Sequence, residues 1–531
     1  MRTLPLRSFR LVCKPEQAPL VELLLQAQGF VFEPEPFFPL ARRLVDGSLP
    51  LGSSLAAAFG YLYIQDRSSM LPPLALSPQA GAAVLDMCAS PGSKTGLLAQ
   101  LVGQEGFVLA NEPSRNRLAT LRHNLQSLNL FCCATTSYPG EKLPLPSADD
   151  NPTETSPFHE AGQSAGWDCI LLDPPCSGWG TVEKNPQVLR LWQGDKIDPL
   201  ISLQRKLLAE AARLLRPGGR LVYSTCTTNV EENEGQLRFA REDLGLVFQP
   251  LAPPPGFAFA DPEHPEFSGA LRVNTGSDGQ GFFVALLHKP ASGQATPCPQ
   301  GSFAACERSE VCACPVVDPH VTSSVDPRAA RCLEPDSALP PDAEKTSPET
   351  QSRQPRQAQS KAGREGFFVL PWEKDSRHVG ERHRHVQKKR EETRKPTVEY
   401  LDRGSLAGPY LDPALLPSGD IGVFNSVAHF LPAHSRALPD QRFAWKGFPL
   451  GRFGQGTRLN PHLRGLMPPV EELRRHGLPF WDLDDPAPLL ALLTGQSVSV
   501  DAPGPELGLY FRGLPLCRLA VKGRRAILPP L

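Results

Sequence analysis

A doubly wound α/β sheet, preceded by a small α/β module and followed by a β-rich region, is predicted by three observations. Short apolar strand-type segments (AVLDMC, GFVLANE, WDCILLDPP, GRLVYSTC) alternate with helical stretches such as SRNRLATLRHNLQSL and DPLISLQRKLLAEAARLL. Strands that are apolar along their whole length, separated by helices, belong to parallel sheets covered on both faces. The composition then changes after Lys289 to Pro, Ser, Gln and Glu, with little apolar periodicity until GREGFFVLPW.

The elements follow in order. At 531 residues the chain exceeds a single core, so several folded units are expected. Residues 1–80 hold a strand-like SFRLVCK, a helix-like PLVELLLQAQGF and GYLYIQDRSSMLPPLAL, a small α/β module. Residues 81–289 carry the alternating pattern, with LGLVFQP and QGFFVALLHK completing the sheet edge and PSADDNPTETSPFHEAGQSAG inserted as a solvated loop. Residues 290–363 are expected to be a disordered linker. Between Arg377 and Lys395, eight Lys or Arg stand against three Glu, a run suited to nucleic acid. Within 364–531, ELGLYFRGLPLCRLAV alternates with period two around a turn at Arg512-Gly513, which predicts a β-rich end.

Charged residues make up 21% and the net charge is −1, so composition neither demands nor excludes a nucleic-acid partner. The thirteen cysteines form no repeating framework, and the start MRTLPLRSFRLVCK lacks the apolar core of a signal peptide. Both point to a reducing cytoplasm. No apolar run approaches the roughly 18–20 residues that span a bilayer. Cys298, Cys306, Cys312 and Cys314 fit no paired-ligand spacing, so no metal is expected.

The chemistry is expected at the carboxyl ends of the strands, where open α/β sheets bind ligands. A strand ending at Asp86 runs through Met87, Cys88, Ala89, Ser90, Pro91, Gly92 and Ser93 into a helix near Lys94, a turn through which a nucleotide can approach the backbone. It is not a P-loop, which needs Gly before the Lys. Glu112 ends the second strand, placed as the acid that holds ribose hydroxyls. Asp173 and Cys176 end the fourth strand and Cys226 the fifth. Two cysteines on neighbouring strand ends facing a cofactor loop are hard to explain as packing, the role assigned to Cys132, Cys133 and Cys169. Asn229 and Glu232 have capping-box spacing, so a helix is expected from Val230, its positive end favouring a thiolate at Cys226.

The segments DMCASPGSKT, DPPCSGWGTVEKNP and YSTCTTNVEENE, with YIQDRSSMLP upstream, resemble the signature segments of the Nop/Sun-type RNA 5-methylcytosine methyltransferases over residues 5–289. The branch acting on bacterial 16S ribosomal RNA is the most similar. The resemblance implies a Rossmann-like fold, S-adenosylmethionine as cofactor, RNA as partner and a PUA-like RNA-binding C-terminal end. It implies Cys226 as the nucleophile toward cytosine carbon 6, Cys176 as the residue aiding release, and Asp173 as a contact to both base and cofactor. Cys88 to Lys94, Glu112 and Asp173 match the cofactor contacts. The resemblance departs at Pro139, where the family has an aspartate toward adenine, and at Arg10-Leu11-Val12, where it has Arg-x-Asn. Rival readings are a transfer RNA cytosine-5 methyltransferase, an exocyclic amino-methyltransferase and a non-catalytic RNA-binding ribosome-assembly factor. The C-terminal region is expected to add RNA affinity and to be separable from cofactor binding.

Overall fold

The computed structural model describes residues 7–47, 49–146, 166–192, 194–274, 279–291, 399–438, 446–454, 458–502 and 504–530. The linker 290–363 beyond residue 291, its four cysteines, the basic run before Lys395 and most of the 146–166 insertion lie outside them. Among the described residues no helix is long and apolar enough to cross a membrane.

Five parallel strands form the centre of the main sheet, in spatial order Cys133–Thr136, Phe107–Asn111, Ala83–Asp86, Trp167–Leu172 and Leu215–Thr225. Phe282–His288 pairs antiparallel to the last of these, and Val247–Gln249 pairs on its far side. This is a Rossmann-like sheet; the QGFFVALLHK strand is not its edge, since Leu271–Val273 and then Phe259–Ala260 pair beyond it. Ala83–Asp86, Phe107–Asn111 and the inner residues of Trp167–Leu172 are buried on both faces, which accounts for their unbroken apolar runs. The chain order reverses at Ala83–Asp86, so the ends at Asp86, Leu172 and Thr225 open onto one crevice.

Ahead of it, four antiparallel strands lie in the order Val31–Pro34, Ala41–Asp46, Ser8–Leu11 and Leu62–Ile64. The helix Ala18–Gln26 buries Ala18, Val21, Leu24 and Leu25 against them, the 3.6-residue stripe of PLVELLLQAQGF. After residue 398 come two five-stranded sheets, one of them containing the hairpin Glu506–Phe511/Leu514–Lys522. Its turn holds Arg512 at φ 48° and Gly513 at φ 79°, the left-handed pair that matches strand twist.

Two expectations are corrected here. The C-terminal region is not a separable appendage: Phe9, Leu24, Leu55 and Tyr61 of the N-terminal module share one core with Leu489, Leu507, Leu509 and Leu519. Arg464, buried, donates from Nε to Phe59 O (2.9 Å) and from Nη2 to Gly60 O (2.7 Å), Leu128 O (3.2 Å) and Val12 O (3.3 Å), and stacks 3.9 Å from the Tyr61 ring. Thr135, in the edge strand of the main sheet, also exchanges backbone hydrogen bonds of 2.9 and 2.8 Å with Lys446. The second correction concerns the helix after Cys226. It runs over Glu234–Glu242, not from Val230, and Glu232 points into the core instead of capping it. The helix therefore begins eight residues after Cys226, and the capping-box spacing of Asn229 and Glu232 marks no helix start.

Candidate active site

The turn after Ala83–Asp86 is built for close approach. Gly92 sits at φ 106°, and a Cβ there would lie 3.0 Å from Leu121 Cδ1, so the loop lies directly on the helix Arg115–Ser127. Thr95 Oγ1 donates to Asp86 Oδ2 at 2.7 Å, while Asp86 Oδ1 is buried with no hydrogen-bond partner. Burial pushes the Asp86 carboxyl up to about 7.

The ends of the next two strands are tied to this loop. Asn111 Nδ2 donates to Met87 O (3.1 Å) and Tyr138 O (3.0 Å), and Asn111 Oδ1 accepts from Tyr138 N (3.0 Å). Buried Glu112 accepts from Ser114 N (2.8 Å) and faces Arg117 at 3.3 Å; burial raises its carboxyl above the ordinary value. Pro139 follows Tyr138 and precedes the short turn Gly140–Lys142, so it brings no carboxylate to this place.

Lys94 joins the two halves of the crevice. Its Nζ donates to Asp173 Oδ2 at 2.7 Å and lies 5.2 Å from the Phe282 ring centroid. Burial alone would lower its ammonium, but the charge and hydrogen bond of Asp173 hold it above the ordinary value. Ser224 Oγ donates to Asp173 Oδ1 at 2.9 Å. Asp173 is thereby fixed between the cofactor-type turn and the Cys226 strand, its side chain a quarter exposed.

Cys176 and Cys226, fifty residues apart in sequence, bring their Sγ atoms to 3.2 Å. Both thiols are free and half-buried. The hydrogen bond from Cys226, then burial, pushes the Cys176 thiol well above its ordinary value. Cys132, Cys133 and Cys169 behave as packing residues: all three are buried, and burial raises Cys169 to about 11. Among the described residues no cluster of His, Cys, Asp or Glu could hold a metal ion.

Two features here were not assigned from the sequence, and a third, Glu232, was assigned only as a helix cap. Gly180 N donates to Cys226 O at 3.0 Å and Gly180 O accepts from Gly281 N at 2.9 Å; a Cβ on Gly180 would meet Gly281 O at 2.2 Å and Cys226 O at 2.9 Å. Only glycine fits between those two backbones. Glu232, fully buried, accepts from Ser177 N (2.9 Å), Ser177 Oγ and Gln204 Nε2 (2.9 Å). YIQDRSSMLP positions the floor below: Asp66 Oδ1 accepts from Ser68 Oγ (3.0 Å) and Gln280 N (3.4 Å), and Asp66 pairs with Lys184. The signal for all three was their place inside long motifs, without which a Gly, a Glu or an Asp says little. Arg10 is fully buried, with a Cβ on Gly96 coming within 2.9 Å of its Nη2, so it offers no surface to RNA.

Residues 73–288 match the family described as 16S rRNA methyltransferase RsmB/F. The chain is similar to the ribosomal RNA small subunit methyltransferase F of Cronobacter sakazakii (36% identical over 277 residues, 51% of this chain and 54% of that one). It is similarly related to those of Shewanella loihica (34% over 287 residues, 51% and 53%) and Salmonella paratyphi B (39% over 263 residues, 48% and 50%). This chain thus spans about half the length of the curated relatives it matches. Among solved structures it is similar to a methyltransferase homolog protein from Pyrococcus horikoshii (31% identical, covering 54% of this chain and 87% of that chain, TM-score 0.43). Residues 73–288 thus carry a segment similar to the RsmB/F family, the part of the chain that the curated relatives share.

Proposed function

We propose that the protein methylates carbon 5 of cytosine in RNA, with 16S ribosomal RNA as the substrate, using S-adenosylmethionine. The observation that carries this reading is the pair of thiols 3.2 Å apart beside Asp173, itself held by Lys94. One thiol suffices for nucleophilic catalysis; two in contact at one strand edge fit a covalent reaction with separate attack and release.

The residues suit the cofactor. The turn Cys88 to Lys94, the buried acceptor Glu112, the orphaned Asp86 Oδ1 and Asp173 together offer the acceptors and close backbone a nucleoside needs. When bound, S-adenosylmethionine supplies an electrophilic methyl group. Cys226 Sγ would add to carbon 6 of the cytosine, moving electron density onto carbon 5. Release requires the carbon 5 proton to pass to the Cys176 sulfur while the carbon 5–carbon 6 double bond re-forms and the Cys226–carbon 6 electron pair returns to Cys226 Sγ. Asp173, held by Lys94 and Ser224, orients the base edge. A cytosine must leave its stack to reach such a crevice.

The C-terminal region 364–531, with a PUA-like end, is read as an RNA-binding region; its small β sheets and the basic run before Lys395 support this. Action on ribosomal RNA places the protein in the cytoplasm. The two thiols test the mechanism. Cys226→Ala should form no covalent RNA species, whereas Cys176→Ala should accumulate a Cys226-linked methylated adduct that survives denaturing electrophoresis. Failure of both to behave so with the true substrate refutes the covalent route. Bisulfite sequencing of ribosomal and transfer RNA from a deletion strain identifies the substrate.

A further inference from the structure

The thiols stand on two loops that no strand pairing aligns. Cys176 lies four residues past Trp167–Leu172 and Cys226 one past Leu215–Thr225, so the register of the sheet alone does not set their separation. What joins the loops is polar and buried. Ser177 Oγ, one residue from Cys176, lies 2.7 Å from Thr227 Oγ1, one residue from Cys226. Both hydroxyls are at most 1% exposed. Beneath them Glu232 takes the Ser177 amide, the Ser177 hydroxyl and Gln204 Nε2, while Gln204 Nε2 also donates to Pro175 O at 2.9 Å. The Glu232 carbonyl accepts from Tyr223 Oη at 2.7 Å, and Asn233 Oδ1 accepts from Thr225 Oγ1 at 2.6 Å, tying the same turn to the strand that carries Cys226.

A fully buried carboxylate is costly unless its donors are all in place, and here each donor belongs to the Cys176 loop or to a helix that grips it. We propose that Glu232 is a positioning residue: through Ser177 and Thr227 it sets the distance between Cys176 and Cys226. Its side chain is fully buried beneath the two loops. The role deepens the methyltransferase reading, because attack and release on one base require the two sulfurs to stay within reach of adjacent ring carbons.

The test reads thiol geometry independently of methyl transfer. Diamide accepts two electrons and two protons from a pair of thiols, giving a disulfide and a hydrazine, at a rate that depends on how close the thiols are held. In the full chain, closure of the Cys176–Cys226 disulfide is followed by peptide mass analysis, with reactivity of each single thiol toward iodoacetamide as the control. Glu232→Ala should slow closure about 10- to 100-fold. Glu232→Gln should recover most of it, since its amide oxygen can accept from Ser177 N and Gln204 while its NH2 donates to Ser177 Oγ. Ser177→Ala, the smallest perturbation, should slow closure by less than Glu232→Ala, and it decides the matter if the Ala variant at 232 does not fold. Wild-type closure rates in Ser177→Ala and Glu232→Ala, or no closure in the wild-type chain, overturn the proposal. So does a Gln variant that closes the disulfide normally yet is as inactive as Ala, which would make Glu232 a proton-transfer group. A wild-type protein that methylates no RNA while closure still depends on Glu232 would sink the methyltransferase reading alone.

Discussion

At the thiol edge a buried carboxylate gathers donors; at the regional junction a buried guanidinium gathers acceptors. Glu232 collects Ser177 from 55 residues away, inside a motif, and Gln204 from 28 residues away, on the helix Asp198–Leu214. Arg464 collects carbonyls of Val12, Phe59, Gly60 and Leu128 from 336 to 452 residues away, outside any motif. Both satisfy polar groups that burial would otherwise penalise. The first sets the distance between two reactive atoms, the second the packing of three regions. The geometry around the thiols is concentrated in short segments, whereas cohesion rests on carbonyls that any residue type could supply.

The largest effect should come from removing residues 399–531, which exposes Phe9, Leu24 and Leu55 and leaves four carbonyls without Arg464. The truncated chain should lose a cooperative melting transition; a transition at the wild-type temperature would show that the regions are independent after all. Arg464→Leu keeps the apolar stem but removes every donor, and should cost about 3 kcal/mol in denaturant titration with little direct effect on the thiols. A loss of adduct formation without loss of stability would blur the contrast between the two regions.

Gly180→Ala probes the motif side. Its Cβ has no space between Gly281 O and Cys226 O, so the loop must shift, and turnover should fall roughly 10- to 100-fold while the melting temperature drops by only a few degrees. Asp86→Asn should have the smallest effect. Folding raises the Asp86 pKa to about 7, so between its ordinary value near 3.8 and 7 the unfolded chain binds fewer protons than the native one. Stability then falls as pH rises through that window. Asn still accepts from Thr95, so the variant should flatten this slope and gain about 1–3 kcal/mol relative to wild type at pH 8 compared with pH 5. An unchanged slope would mean that Asp86 stays ionised.

The alternation of strands and helices was legible because apolar periodicity reports burial directly, and AVLDMC or GRLVYSTC has no other plausible place than a covered parallel strand. The convergence of Asp173, Cys176 and Cys226 was legible too, since all three stand at strand ends and a doubly wound sheet gathers those ends on one edge. Glu232 was misread. Its spacing from Asn229 satisfies a local rule, and whether a carboxylate turns outward to cap a helix or inward to meet Ser177 depends on groups far along the chain.

By itself the sequence determined which residues reach the crevice: strand order follows from patterning, and four long motifs mark the turns where it opens. Tertiary structure alone decided the 3.2 Å between the thiols, the clamp of Glu232 on the two loops and the core shared by the N-terminal module with the last sheet. The reason is physical. Burial of an apolar stripe is encoded in composition and period, which a chain carries locally. The partner of a buried polar group is a single atom whose position is set only after distant segments have packed.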